Sequence, residues 1–248
     1  MLRAVILAAG QGTRLRPYTN TVPKCLLKVG GRSILNGQMD AMRGKGICET
    51  VIVVGYQKEM IIDYAQKTFL DSRVRFVENP NFANSNNLYS LALAASTIPL
   101  GSSVLQLNGD VVFDAEVLDK LLHAGPAGCH IAIRSGKCAE EEIKVTLNEQ
   151  GTVCQLNKRV RTINAIGEAV GINLYRGDFW RVLKRQLEKL KNSHPKEYFE
   201  YAVEQTIAAG GTAYPTDISN FRAIEIDFPE DLRHARAIFQ HATDTSHG

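Results

Sequence analysis

Apolar residues fall along this chain in short unbroken runs that alternate with amphipathic stretches. Residues 3–9, RAVILAA, form the first run, and residues 33–46, SILNGQMDAMRGKG, then place Ile34, Leu35, Met39 and Met42 at helical spacing behind Ser33 as a candidate N-cap. The alternation repeats. ETVIVVGY (49–56) predicts a strand and KEMIIDYAQKTF (58–69) a helix; RVRFVENP (73–80) predicts a strand, NNLYSLALAAST (86–97) a helix, and SVLQLNGDVVF (103–113) a fourth strand. Buried strands separated by helices imply βαβ units, hence an α/β fold with a Rossmann-like, mixed and mostly parallel sheet and helices on both faces. Ligands of such sheets sit beyond the carboxyl ends of the strands, so the positions after Ala9, Gly55, Asn79 and Asn108 are where chemistry is expected.

After about residue 125 the pattern changes. CHIAIRSG (129–136), IKVTLNEQGTVCQLNKRV (143–160) with a turn at EQG, and AVGINLYRG (169–177) predict an antiparallel part. DFWRVLKRQLEKLKN (178–192) and YFEYAVEQTIAAGG (198–211) predict helices, AYPTDISNFRAIEID (213–227) a last strand region, and FPEDLRHARAIFQHA (228–242) a closing helix with Pro229 in its first turn. No repeat or Pro/Ser-rich linker divides the chain. One domain over residues 1–240 is expected, with halves at 1–125 and 126–240 and a flexible tail at 241–248.

Composition narrows the function. With 248 residues, 44% of them hydrophobic, the chain can bury a large core. The net charge of +3 comes from Lys and Arg spread along the sequence, which argues against a nucleic-acid partner. Cys25, Cys48, Cys129, Cys138 and Cys154 form no C-x-x-C pair, so neither a zinc site nor a disulfide framework is indicated. The apolar run Ala4–Ala9 is shorter than a signal-peptide core, and no run approaches the roughly 18 residues of a membrane span. A cytoplasmic protein without a membrane partner is expected; pairing into a homodimer is compatible with the sequence.

The most specific signal follows the first strand: VILAAGQGTRLRPYTNTVPKCLLKVGG, residues 5–31. A glycine-rich turn after a buried strand lets backbone N–H groups approach a phosphate chain, and Arg14 and Lys24 add positive charge. The turn departs from a dinucleotide fingerprint, which needs a glycine where Leu15 stands, and from a P-loop, which needs G-K-[ST]. Lys24 after Pro23 also reads as a solvated loop lysine, and Arg16 as a residue that fixes the turn.

Together with VGYQKEMI, NNLYSL, EEIKVTLNEQGTVCQLNK, GEAVGINLY and AIEIDFPEDLRHAR, this motif resembles the sugar-1-phosphate nucleotidylyltransferase superfamily of nucleotidyltransferases. Within it the chain looks most like bacterial phosphocholine cytidylyltransferases and their relatives, from Leu2 to about Phe239. The resemblance implies Mg²⁺-dependent transfer of CMP from CTP to a small phosphorylated acceptor, a phosphomonoester or phosphonate, with release of pyrophosphate. It makes residues 1–125 the nucleotide-binding half and 126–240 the acceptor-binding half. Leu7, Ala8, Ala9, Gly10, Gly12 and Thr13 would then hold the nucleotide, Arg14 and Lys24 would act on the reacting phosphates, and Asp110 and Asp227 would hold Mg²⁺. The base would meet Gln57, Asn84, Asn86, Asn87 and Ser90. Lys144, Lys158, Glu168 and Arg222 are the acceptor candidates.

The chemistry independently favours such residues. In-line attack of one phosphate on another brings two polyanions together, so cations do most of the work, and an ionised acceptor needs no catalytic His or Ser. His234, His241 and His247 read as surface residues. Mg²⁺ takes one or two carboxylates plus phosphate oxygens and water. Asp110 stands at a strand end in LNGD, and Glu225 shares a strand face with Asp227, an accessory position. Side-chain amides suit a pyrimidine edge, yet the three asparagines also suit a helix cap. A choline pocket would require an aromatic cage that these segments do not offer, and lone Trp180 reads as helix core. A sugar-1-phosphate nucleotidylyltransferase using another NTP, and a non-catalytic nucleotide-binding regulator, remain the alternatives.

Overall fold

The computed structural model describes residues 1–125 and 127–240; the expected tail at 241–248, with His241 and His247, lies outside the described residues. The first half reads β1 (Leu2–Ala8), a short hairpin of β2 (Lys28–Val29) and β3 (Arg32–Ser33), α1 (Ile34–Gly44), β4 (Glu49–Val54), α2 (Lys58–Thr68), β5 (Arg73–Glu78), α3 (Asn87–Ser96), β6 (Ser103–Asn108), β7 (Val111–Phe113) and α4 (Glu116–His123). The second half adds β8 (Cys129–Ser135), β9 (Lys144–Leu147), β10 (Val153–Asn157), β11 (Gly167–Tyr175), α5 (Gly177–Ser193), α6 (Phe199–Ala208), β12 (Ala213–Asp217), β13 (Ala223–Glu225) and α7 (Pro229–Ile238).

Nine strands from both halves build one mixed sheet, ordered β10-β9-β11-β6-β1-β4-β5, with β8 paired to β11 and β12 to β8. β1 lies between β4 and β6 and is parallel to both, with Ile6 opposite Ile52 and Leu107. Alternation along the strands divides the core. Val5, Val51, Val53 and Val104 face α3, α5 and α6, meeting Leu88, Leu91, Trp180 and Leu183. Ala4, Ile6, Ile52 and Leu105 face the other way, meeting Leu35 and Met42 of α1, Ile61 of α2 and Leu118 of α4. Trp180 is fully buried and stacks on Tyr175, so it is core, as its helical setting implied.

A third, smaller core matters most for the site. Leu15 of the glycine-rich turn packs with Leu27, Ile34, Ile226 and Leu232. Fully burying such side chains stabilises by about 1.5–3 kcal/mol each. This cluster holds the turn after β1 against the start of α7, which lies more than 200 residues away in sequence.

Two predicted strands are each two elements. SVLQLNGDVVF breaks at Gly109 and Asp110: β6 stays in the main sheet, while β7 leaves it and pairs antiparallel with β13. Gly109 permits the exit, because a Cβ there would lie 2.7 Å from the Leu7 carbonyl oxygen. AYPTDISNFRAIEID likewise splits into β12 in the main sheet and β13 in the small one. Helix α4 was not anticipated by the apolar pattern. The EQG turn does join β9 to β10, with Gly151 at φ 75°.

Candidate active site

A cleft of about 720 Å³ crosses the carboxyl ends of β1 and β6 and continues over β11 toward the β8–β9 loop. At one end lies the glycine-rich turn. Gly12 sits at φ 61°, a left-handed conformation that favours glycine, and its carbonyl accepts a hydrogen bond from Thr19 Oγ1 at 2.7 Å. Gly10 differs. Its φ is ordinary, and a Cβ there would meet nothing within 4 Å. The fold itself does not require glycine at this position, which faces the cleft. Gly10→Val should therefore leave Tm within about 2 °C of wild type while raising the KM for the nucleotide about tenfold or more; thermal unfolding beside nucleotide-dependent kinetics checks both halves.

Lys24 follows the turn in a 3-10 segment (Lys24–Leu26). Its ammonium donates to Asp110 Oδ2 at 2.6 Å and to Asp227 Oδ1 at 2.8 Å, while Arg14 pairs with Asp227 Oδ2 at 2.7 Å and lies over the Phe228 ring. Burial works to lower the Lys24 pKa, but the two aspartates outweigh it and the pKa is raised. Burial works against ionised Asp227 too; Lys24 and Arg14 outweigh it, and its carboxyl lies below the usual range. Neighbouring Cys25 is no nucleophile: burial pushes its thiol up to about 12.

A chain of polar side chains runs from the core to Glu225. Gln106 Oε1 accepts from Asn173 Nδ2 at 2.7 Å, and Gln106 Nε2 donates to Asn108 Oδ1 at 3.1 Å; Asn108 Nδ2 in turn donates to Glu225 Oε1 at 3.0 Å. Gly171, at φ 68°, makes room for this chain, since a Cβ would lie 2.4 Å from Asn108 Nδ2. Burial, then Asp110 and Asp227, push Glu225 up to about 8. The Asp110 Oδ1 atom is buried without a hydrogen-bond partner. An orphaned hard oxygen facing a second aspartate fits a divalent cation. Among the described residues no group of three or more His, Cys, Asp or Glu side chains is arranged as a metal site. A cation would thus draw its remaining ligands from phosphate and water, as Mg²⁺ commonly does.

The other end of the cleft is acidic. Glu141, Glu142, Glu168 and Glu200 line it, with Arg134, Lys158 and Tyr198. Arg134 pairs with Glu168 and Lys158 with Glu141; the Lys158 ammonium also lies 5.0 Å from the centre of the Tyr198 ring. Burial and a shared hydrogen bond with Glu142 push Glu168 up to about 7. Glu200, in the first turn of α6, is 4% exposed, and its Oε2 has no partner. Burial pushes it up to about 8. A carboxyl raised in this way keeps a proton that the unfolded chain has lost, so it makes stability fall as pH rises from about 4.5 to about 8. Glu200→Gln should remove this dependence, and its Tm should decline less than wild type across that window in a series of melts.

The expected residues fall into two groups. The turn from Leu7 to Arg14, Lys24, Asp110 and Asp227 come together at one end; Asn86, Asn87 and Ser90 line the cleft beside them, and Lys158 and Glu168 lie at the acidic end. Asn86 and Asn87 are also structural: Asn86 caps α3, and Asn87 Oδ1 accepts from the Phe199 N–H at 2.7 Å. Four residues do not line the cleft. Gln57, at φ 50°, turns its amide to the Asn20 carbonyl, and Asn84 is exposed on the loop before α3. Lys144 is fully buried and bonds loop carbonyls. Arg222 is held outside by Asp114 and stacks on Phe239. His234, expected on the surface, is exposed but borders the cleft. Glu141 and Glu142, which read either as partners for an amine or as a solvated loop, line the cleft, whereas sequence reasoning missed Asn79, Asn108, Arg134, Tyr198 and Glu200. Only Asn79 and Asn108 carried a signal, as polar residues ending apolar strands. Among the described residues no helix is long and apolar enough to cross a membrane.

Known proteins agree with this geometry. The profile of the MobA-like NTP transferase domain matches residues 4–197, and the chain belongs to that family of nucleotidyltransferases. It is 34% identical over 242 residues to the CMP-5'-(3-aminopropyl)phosphonate synthase of Streptomyces rubellomurinus, covering 94% of this chain and 38% of that protein. Over 92 residues it is 44% identical to the choline-phosphate cytidylyltransferase of Streptococcus pneumoniae, covering 37% and 38%. The chain thus spans about 38% of the length of these two relatives. Its fold is similar to that of the inositol-1-phosphate CTP transferase from T. maritima, with a TM-score of 0.77 at 21% identity, covering 97% and 96% of the two chains.

Proposed function

We propose that this nucleotidyltransferase uses CTP and Mg²⁺ to transfer CMP to a small phosphomonoester or phosphonate that carries an amine, releasing pyrophosphate. The observation that carries this reading is the polarity of the cleft. Arg14, Lys24 and the backbone N–H groups of the glycine-rich turn stand at one end, suited to a triphosphate. Four glutamates stand at the other, and both cations there, Arg134 and Lys158, already have carboxylate partners. Glu168 and Glu200 line the cleft, and an ammonium bound among them would release the protons that burial holds on these carboxyls, while Tyr198 offers a ring face to a cation. The chemistry named for the two curated relatives, CMP and cytidylyl transfer, supports CTP.

In the proposed reaction the acceptor's phosphate or phosphonate oxygen attacks the α-phosphorus in line. A P–O bond forms as the bond to the β-phosphate oxygen breaks, and that electron pair leaves with pyrophosphate. Lys24 and Arg14 would neutralise the charge that grows on the leaving group, and Lys158 would exchange Glu141 for the acceptor's phosphate. A divalent cation held by Asp110 and Asp227 would supply further neutralisation of the phosphate oxygens. The pairing of β7 with β13 and the bond from the Ile226 N–H to the Asp110 carbonyl keep Asp110 and Asp227 in register.

Pyrophosphate release tests this reading, crossing the four NTPs with phosphocholine, phosphoethanolamine, 2-aminoethylphosphonate, amino-acid phosphates, inositol phosphate and sugar 1-phosphates. CTP with an amine-bearing acceptor is the expected pair. Preference for a sugar 1-phosphate would overturn it, and nucleotide binding without turnover across the panel would favour a regulator.

A further inference from the structure

Lys144 carries a charge that the proposed reaction leaves unused. It is fully buried, yet among the described residues no carboxylate lies within salt-bridge distance of its ammonium. A buried ammonium is costly unless its donors are satisfied. Here all three donors find backbone carbonyls of a single loop: Glu140 at 2.7 Å, Glu142 at 3.3 Å and Ala139 at 3.5 Å. The lysine and the loop satisfy each other, so neither arrangement is stable without its partner.

The loop is the wall of the acidic end. It contributes Ala139, Glu141, Glu142 and Ile143 to the cleft, and its own bonds run inward, with the Ala139 N–H donating to Glu142 Oε2. On β9, Lys144 stands opposite Glu168 of β11 and opposite Asn157 of β10, the residue before Lys158. Residues paired across strands share a sheet face, so the ammonium rises beside Glu168 and meets the loop there. From this point the loop sets Glu142 against Glu168 and Glu141 against Lys158.

We propose that Lys144 is a positioning residue for the acceptor: its ammonium clamps residues 139–143 over the acidic end of the cleft and does not touch the substrate. This rests on the reading that the acidic end receives the acceptor. The clamp acts on that end alone, because the glycine-rich turn, Lys24 and Asp110 belong to other elements, and Leu15 of that turn packs in a cluster that includes no residue of the loop.

Lys144→Met keeps the length of the side chain and removes the donors. The expected result is faster amide exchange across residues 137–143 with other segments unchanged. With 2-aminoethylphosphonate as acceptor, its KM should rise about tenfold or more while the KM for CTP stays within about twofold. Lys144→Gln, which retains two donors, should fall between wild type and Lys144→Met, and it replaces the methionine variant if that one does not fold. Wild-type exchange rates across 137–143 in a folded variant would overturn the clamp, as would parallel rises in both KM values. If wild type turns over neither 2-aminoethylphosphonate nor phosphocholine with CTP, the acceptor reading fails, and the exchange measurement decides the clamp by itself.

Discussion

Asp227→Asn should lower kcat by roughly 10³-fold while the protein still folds and still binds nucleotide. The substitution keeps the shape of the side chain and removes the charge that Lys24 holds at 2.8 Å and Arg14 at 2.7 Å. Asp227 is itself an anion and acts through the cations it holds, Lys24 and Arg14; misplacing electrostatic groups of that kind costs about two to three orders of magnitude in rate. Loss of a carboxylate cation ligand adds to that, because Asp110 would then be the one aspartate left facing the phosphates. The stability cost should be small, a Tm drop of a few degrees for about 1 kcal/mol in a chain of this size. Ile226 and Leu232, which anchor this segment, are untouched. Single-turnover kinetics beside nucleotide titration checks the prediction. A variant with unchanged turnover would remove Asp227 from the reaction, and a wild type that binds nucleotide without turnover would make the chain a regulator.

Lys24→Met should be nearly as damaging to rate, by about 10²–10³-fold, and it should also change the response of stability to pH. Lys24 is the cation that lies between Asp110 and Asp227, and it counteracts the upward shift of Glu225. Without it three carboxyls face one another in a partly buried site. The folded-state pKa values of Glu225 and Asp227, which Lys24 holds down, rise; the folded chain then holds protons that the unfolded chain has released, and stability falls as pH increases. Wild type already carries part of this dependence through Glu225, raised to about 8 from an ordinary 4.5. In EDTA, the Tm of Lys24→Met should therefore drop more steeply than that of wild type between about pH 5 and pH 8. Equal slopes would show that the lysine does not compensate these carboxyls.

The cationic end of the cleft was legible because most of it is contiguous. Residues 7–14 turn at the end of one strand, and Lys24 follows ten residues later, so local spacing carries the geometry. Asp110 was marked by its place after an apolar strand. Asp227 had no local signal of that strength: it lies 203 residues from Lys24 and was placed by family resemblance. The acidic end was poorly legible for a different reason. Arg134 sits on β8 and Glu200 on α6, and nothing in their neighbouring residues shows that those elements meet. Of the four charges expected there, Lys158 and Glu168 do line the acidic end, whereas Lys144 and Arg222 are satisfied elsewhere, one by carbonyls beneath a loop and the other by Asp114. A lysine or arginine in a string of letters does not show which acceptor it will reach.

The parallel core, the glycine-rich turn and the family followed from periodicity and short-range motif, since burial of alternate faces and the reach of a turn are local properties. Where β6 ends, how β7 and β13 leave the main sheet, and which glutamates border the acidic end depended on packing between residues far apart in the chain. Those contacts form only when loop closure brings distant elements together, and their energies do not appear in the pattern of any one segment.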